Sequence, residues 1–504
     1  MGARSRHAAR HAGTGPGGAH VRVALRSLER ATQWMLDWPI QWEWQLIEGR
    51  PLSNKSFVVG SLARHQAAII CGLGTIAALG LAAYGILHAT SLWRVLPFWD
   101  QWDAVATYQA WTTGAQSFPD VFRPHNEHRL PLTQLGFLVD FAFFQGRATF
   151  AHWLLLLVHV ALGAAIGLVA TRGLAAGART LGVAAGIAFL VAPVQIDNLV
   201  WPFHLQWAAS GLLALGAFFL TARLAEPMPP AARATTVVSA AAFTTLTVYS
   251  SANGLAAAPM VAVMALVLPI GRAARIVLVA TAALSVASFF VGYTLPAGDP
   301  GFRVSLDSLQ GVLQFLAYVR AFLGSIGQFS YRILPVLGIV GLAIWAAAAL
   351  ALVWRLRNGA SFDPSTCALL MLAALAIATA AMSALGRAGM SPQQALSARY
   401  ATWSILFWAS LAGALWRLAD AAGRPRLKVA ILGITAWLLV LSYLSGRYFV
   451  DYARSNAATI DMVTAELRAG RILPEHLLRV HPGGEAIRPQ VEFLRAHRLS
   501  VFAD

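Results

Sequence analysis

Two aspartates three residues apart, Asp100 and Asp103, open a polar stretch in an otherwise apolar sequence. The cluster His125, Glu127, His128 and Arg129 closes it. A carboxylate in such a place can take the proton from an attacking hydroxyl, and a pair can hold a divalent cation such as Mg2+ or Mn2+. Arg129 and the two histidines are donors suited to an anion, because a guanidinium grips a phosphate through two parallel hydrogen bonds. The spacing of His125 and His128 is not that of a zinc-protease helix, and no third ligand is evident beside them. Structural roles compete with these. Asp100 and Asp103 can cap the helix that AVATYQAW would begin, and the His–Glu–Arg cluster can be a salt-bridged surface loop.

Further polar motifs stand at the ends of apolar segments. Gln195, Asp197, Asn198, His204 and Gln206 flank Trp201 and Pro202. Aromatic faces beside hydrogen-bonding groups suit sugar rings, and they equally suit an interfacial belt. Asn253-Gly254 marks a tight turn. Arg399 and Tyr400 open a late apolar segment, where an Arg can bind a lipid phosphate or reach for headgroups. The substrate- or phosphate-binding candidates are therefore His125, Glu127, His128, Arg129, His204, Asn253, Arg399 and Tyr400.

The elements that carry these residues are set by composition. The chain has 504 residues, of which 58% are hydrophobic and 12% charged, with a mean hydropathy of +0.60. A soluble protein of this size cannot hide that much apolar surface, so an all-α polytopic membrane protein is expected. The net charge of +16 does not indicate nucleic acid, because the basic residues fall in short loops and at the ends. That pattern fits the positive-inside bias and anionic lipid headgroups. Cys71 and Cys367 both lie in apolar segments and read as helix-packing residues.

About eleven spans are expected, near 66–92, 151–170, 181–196, 207–222, 235–249, 255–270, 276–294, 333–354, 366–384, 401–416 and 428–446. The apolar segment 130–146 is short and carries Gln134 and Asp140. A carboxylate at mid-membrane costs roughly 2.5–3.5 kcal/mol even on a lenient scale. Asp140 is expected to pair with an Arg or to cap a cavity. If 130–146 lies along the outer interface, the inside loops hold twelve Arg and Lys and the outside loops between later spans hold five. If it crosses, that bias inverts. The N-terminus is therefore expected in the cytoplasm of an inner (plasma) membrane, with the site and the C-terminus outside.

Three regions follow. Residues 1–65 read as a basic cytoplasmic arm and an interfacial helix carrying Trp34, Trp38, Trp42 and Trp44. Residues 66–446 form the transmembrane domain, with the outer loop at 93–150. Residues 447–504 form a small extracytoplasmic appendage with short helices around Pro482-Gly483-Gly484. A second outer-surface helix is expected within 296–332. No phosphate loop and no soluble nucleotide-binding domain is present, which argues against a nucleotide-linked substrate.

The stretch WDQWDA after the first span, ATYQAWTTGAQ behind it and HRLPL about thirty residues on resemble the GT-C superfamily of integral-membrane glycosyltransferases. That family includes the protein O-mannosyltransferases and the lipid A aminoarabinose transferase. Its acidic motif is often Asp-Glu or Glu-Asp, whereas Gln101 follows Asp100 here, and its basic residue is often Lys before two prolines. The resemblance implies two membrane-parallel helices in the outer loop, at about 103–115 and 131–145. It implies a polyprenyl-phosphate sugar as donor and a glycan, lipid or protein as acceptor. Asp100 would be the general base, Asp103 a helper or cation ligand, and Arg129 a phosphate contact. The expected function is inverting sugar transfer on the outer face. The alternatives are a transporter or flippase, or a polymerase or ligase, of lipid-linked glycans.

Overall fold

The computed structural model describes residues 54–294, 304–327 and 333–503. The expected basic arm and the Trp-rich helix lie outside the described residues, as do Arg303 and Arg332. The chain divides into units 1–67 and 68–504. Of the first, residues 54–67 are described and are helical.

The first long helix is α1 (Asn54–Ser91), followed by two loop helices, α2 (Gln101–Thr112) and α3 (Pro131–Phe144). Between those two lies a hairpin in which β1 (Pro124–His125) pairs antiparallel with β2 (His128–Arg129). The bundle continues through α4 (Thr149–Ala170), α5 (Ala176–Leu190), the short α6 (Ile196–Val200), α7 (Leu205–Arg223), α8 (Pro230–Val248) and α9 (Ala257–Val267). It is completed by α10 (Arg272–Phe290), α11 (Leu309–Gly324), α12 (Leu334–Arg357), α13 (Pro364–Arg387), α14 (Ala401–Ala421) and α15 (Pro425–Arg468). Two short helices, α16 (Pro474–Val480) and α17 (Arg488–Ala496), end the chain.

Among the described residues, nine helical segments are long and apolar enough to cross a membrane. The chain is an α-helical, multi-pass membrane protein. Two expected spans, in α8 and α14, do not meet that measure, and the reason is visible in their packing. Every residue of α14 from Ala401 to Leu411 is buried. A helix surrounded by protein needs no lipid-compatible surface, and α14 spends positions on Thr402, Ser404 and Ser410. In α8 the hydroxyls of Thr244 and Thr247 bond back to Ala240 and Phe243, both at 2.7 Å. The expected span at 255–270 is shorter than foreseen, because residues Ala252–Ala256 form a 3-10 turn ahead of α9. Conversely Leu309–Gly327, read from sequence as an outer-surface helix, is apolar and long enough to count among the nine.

Close helix contacts explain several glycines. A Cβ on Gly163 would lie 2.5 Å from the Gly186 carbonyl oxygen, and one on Gly167 would lie 2.3 Å from that of Gly182. The four-residue spacing of these pairs lets α4 and α5 approach backbone to backbone, the usual way for helices to associate where lipid offers no hydrophobic drive. At the far end of the bundle from the outer loop, ion pairs join four segments. Arg417 grips both Asp363 oxygens and donates to the Arg172 carbonyl, while Arg172 grips Glu226.

The last long helix runs through one expected boundary. Residue 447, where the C-terminal region was expected to begin, falls inside α15, which is 44 residues long in all, about 66 Å at 1.5 Å per residue. Beyond Gly446 the buried positions Phe449, Val450, Ala453, Ala457, Ile460, Val463 and Leu467 keep helical spacing, so nothing stops the helix. Of the two roles expected for Asp140, pairing with an Arg is not found among the described residues, and Asp140 does line a small cavity with Val95, Pro97 and Gln101. Its carboxylate accepts the backbone N–H groups of Ala148 and Phe150, each at 2.7 Å, and of Ala151 at 3.4 Å. It thereby caps α4 from a distance, where orphan amides would otherwise be buried. Asp140→Ala leaves those amides unpaired, so a loss of about 1–3 kcal/mol is expected, read as a lower melting temperature in detergent, with Asp140→Asn intermediate.

Candidate active site

The site is built on the turn between α1 and α2. Trp93 anchors it by donating Nε1–H to the Leu199 carbonyl at 3.0 Å. The Phe98 N–H donates to Gln101 Oε1 at 3.0 Å, and the Phe98 carbonyl accepts from Trp201 Nε1 at 3.1 Å. Trp99 takes a left-handed φ of +50°, uncommon for a bulky residue, and its N–H donates to the Val480 carbonyl at 2.8 Å. Asp100 occupies the N-cap of α2, yet its side chain makes no capping bond. The carboxylate is thus left for other uses.

Asp103 follows in the first turn of α2, with its side chain 51% exposed and 3.4 Å from His125 Nδ1. His125 comes from the hairpin, whose turn residue Asn126 has a φ of +50°, a conformation Asn tolerates. One ligand atom from each of Asp100, Asp103 and His125 lies within 4.8 Å of the others. Two carboxylates and an imidazole around an exposed side suit Mn2+ better than Mg2+, which favours an all-oxygen shell. Burial holds the Asp100 carboxyl above the usual range, and Asp103 pushes the same way, while His125, Arg399 and His481 oppose it.

A second group lies beside the first. Glu127 Oε1 accepts from Arg387 Nη2 at 2.8 Å, and Arg387 Nη1 donates to the Tyr400 hydroxyl at 3.0 Å. Burial pushes Glu127 up, but His128, Arg387 and its hydrogen bonds outweigh that and hold it low. His128 is pushed by burial down to about 4, against the pull of Glu127. Its ring is therefore neutral near pH 7. Because Nδ1 accepts the Ala252 N–H at 3.0 Å, the proton sits on Nε2, which faces Glu127 at 3.6 Å. Arg387 is the residue that sequence reasoning missed. It looked like one more cation at a helix end, and only its two partners give it a role.

Arg399 is different. It stacks over the Tyr400 ring at 5.3 Å, its Nε is buried without a partner, and no carboxylate pairs with it among the described residues. Its backbone is held by Asn198, whose Nδ2 donates to the Ala398 carbonyl at 3.1 Å and to Thr402 Oγ1 at 2.9 Å. The Thr402 hydroxyl in turn donates to Gln195 Oε1. The polar residues ahead of Trp201 thus steady the Arg399 segment, a use their spacing did not reveal. His204 is buried against Trp201, ring centroids 4.3 Å apart, with Nδ1 unpartnered. Asn253 is buried with Nδ2 unpartnered, one residue from the Ala252 amide that binds His128.

Arg129, expected as a phosphate contact, holds the backbone together in the structure. Its guanidinium donates to the carbonyls of Phe289 at 2.7 Å, of Phe122 and of Val291, and only 7% of the residue is exposed. It closes the C-terminal end of α10, where free carbonyls and the helix dipole favour a cation. Three of its five N–H donors, one on each nitrogen, are committed to backbone carbonyls. Among the described residues, Arg399 near the loop has a buried Nε without a partner and no carboxylate beside it.

No family model, no curated protein and no solved structure matches this chain.

Two outcomes follow from this geometry. Mn2+ titrated into the detergent-purified protein should give one site by electron paramagnetic resonance, weakened at least tenfold in Asp103→Ala and in His125→Ala. Unaltered Mn2+ binding in both variants would remove the cation site. Arg129→Ala should lower the melting temperature by exposing three buried carbonyls, about 1–3 kcal/mol in all, and Arg129→Lys should restore little, since one ammonium cannot reach all three.

Proposed function

We propose that this chain is a membrane glycosyltransferase, moving a sugar from a polyprenyl-phosphate donor to a hydroxyl of a glycan, lipid or protein acceptor on the outer face. The observation that carries this reading is an uncapped carboxylate, Asp100, in the same region as Arg399, whose Nε is buried without a partner and which no carboxylate neutralises among the described residues. The two are near enough for the Arg399 charge to bear on the Asp100 carboxyl. A base and a grip for a departing anion are the two groups that displacement at a phosphorylated sugar needs. Trp201, half-buried between Phe98 and His204, brings to the same region an aromatic ring of the kind that suits a sugar face. The resemblance of the Asp100 loop to the GT-C pattern supports the same reading.

In the proposed step Asp100 takes the proton of the acceptor hydroxyl as its oxygen attacks the anomeric carbon. The bond from that carbon to the phosphate oxygen breaks, and the configuration inverts. The polyprenyl phosphate leaves with the electron pair, its charge met by Arg399. A divalent cation held by Asp100, Asp103 and His125 would add positive charge to the same pocket.

An eleven-span topology supports an outer site. Polar contacts gather the end of α1, the end of α10, the end of α13 and the start of α14 around the loop. The opposite ends of α4, α13 and α14 meet in the Arg172, Asp363 and Arg417 ion pairs. Helices alternating between these two layers make eleven crossings if α8, α9 and α14 count and α11 does not. Both ends of α11 stay with one layer: Val304 just ahead of it bonds the Leu385 carbonyl, and the Leu323 carbonyl accepts from Ser404 and Trp408. On this topology α2 and α3 lie along the outer interface, and the N-terminus is cytoplasmic.

The test uses membranes carrying the protein, polyprenyl-phosphate hexoses and pentoses as donors, and mass spectrometry of the polyprenyl phosphate released. Asp100→Asn should cut release about 10²–10⁴-fold and Arg399→Ala about 10²-fold, at unchanged membrane abundance. Near-normal release by Asp100→Asn would reject the reading. Donor moved across a proteoliposome membrane without release would favour a flippase.

A further inference from the structure

Trp99 keeps a backbone conformation that its side chain disfavours. Its φ of +50° lies in the left-handed region, which a bulky residue rarely enters and glycine enters freely. Both of its backbone groups are committed there. The N–H donates to the Val480 carbonyl at 2.8 Å, and the carbonyl accepts the Trp102 N–H at 3.0 Å. A glycine could make the same turn and the same two bonds without strain. What tryptophan alone supplies is the indole, and strain retained in this way points to a ligand contact.

The indole is not consumed by packing: 45% of Trp99 is exposed. A tryptophan of an interfacial belt is also exposed, but it needs no left-handed backbone. Beside Trp99 the Trp201 ring lies with its centroid 6.4 Å away and its plane turned by 69°, its Nε1–H fixed on the Phe98 carbonyl at 3.1 Å. The two indoles therefore meet at an angle next to Asp100, whose carboxylate caps nothing. An aromatic face with a carboxylate at its edge suits a sugar ring, whose C–H face lies on the indole while a hydroxyl donates to the oxygen. Ring contacts run on from Trp201 to His204, Trp207 and Tyr400, and Arg399 stacks on Tyr400. Trp99 and Arg399 thus stand at opposite ends of that series. With the departing phosphate assigned to Arg399, Trp99 is left to the attacking hydroxyl.

We propose that Trp99, with Trp201, forms a stacking subsite for a sugar ring of the acceptor, which makes the acceptor a glycan whose hydroxyl is presented to Asp100. This rests on the transferase reading, and the experiment separates the two. The full chain in lipid nanodiscs, free of sugar-based detergent, is given methyl hexosides and methyl pentosides, and saturation-transfer NMR reads which ligand protons touch the protein. The ring C–H protons of at least one glycoside should be saturated by the wild type. That signal should fall about fivefold or more in Trp99→Gly and Trp99→Ala, and persist in Trp99→Phe, which keeps an aromatic face. Trp99→Gly should melt at or above the wild-type temperature, since glycine relieves the strained turn, so its loss of binding is not a loss of fold. With a polyprenyl-phosphate sugar as donor and the same glycoside as acceptor, Trp99→Gly should raise the acceptor KM about tenfold, with the donor KM within about twofold of wild type. Wild-type saturation in both Trp99→Gly and Trp99→Ala overturns the inference, as does a lower melting temperature in Trp99→Gly, which would make the indole a strut. Release of polyprenyl phosphate with a serine peptide as acceptor, but with no glycoside, also overturns it and leaves the transferase reading standing. Trp99-dependent saturation without Asp100-dependent release from any donor removes the transferase reading and keeps the sugar subsite.

Discussion

A polar group inside a bilayer must find its partner within the protein, because hydrocarbon offers none. Much of this chain obeys that constraint locally. Threonines in the helices return their hydroxyls to carbonyls one turn back, as Thr171, Thr244 and Thr247 do. Arg417 and Asp363 neutralise each other. Against that background, Asn198 Oδ1, His204 Nδ1, Trp207 Nε1, Asn253 Nδ2 and Arg399 Nε are buried with no protein partner. Several of these come from the chain segments that also contact the Asp100 loop or the hairpin. Buried polar atoms left open together are expected where water or a ligand is to be bound.

The same constraint sorts the arginines. A guanidinium can serve as a strut or as a binding group, and one that is buried against carbonyls or carboxylates is committed first to the strut. Arg129 closes the carbonyl end of α10 and so ties the hairpin to the bundle. Arg387 bridges Glu127 of the hairpin to Tyr400 at the start of α14. With these two committed, Arg399 is left with a buried Nε that has no partner among the described residues, on a segment steadied by Asn198 and Gln195 through Thr402. The scaffold uses two cations to hold still the region in which the third stands. That is the kind of support a preorganised anion site requires.

The C-terminal region belongs to this support. The 44-residue α15 carries the chain beyond its apolar first half, and α16 and α17 then pack onto the loop, bringing Val480 to Trp99. The strained Trp99 backbone is then held from outside by one carbonyl, next to a carboxylate whose side chain is left uncapped.

Composition and periodicity were enough to read an α-helical membrane protein, its first long helix and short helices around the Pro-Gly-Gly turn, while the loop helices near 103–115 and 131–145 came from the family resemblance. Those properties depend on local pattern: runs of about 20 apolar residues and turn-forming residues act over one or two helical turns. The pattern is weakest where a helix is enclosed by protein, as with the first half of α14, since burial among neighbours relaxes the need for apolar side chains. It also gave no reason to extend α15 past Gly446. In the candidate site, Asp100, Asp103 and His125 could be picked out from residue type and do lie together. The partners of Arg129, Arg387 and Asn198 could not, because they are 160, 260 and 200 residues away in the chain. Which arginine is a strut and which is left without a carboxylate depends on carbonyls and carboxylates delivered by distant helices, so only the packed bundle decides it.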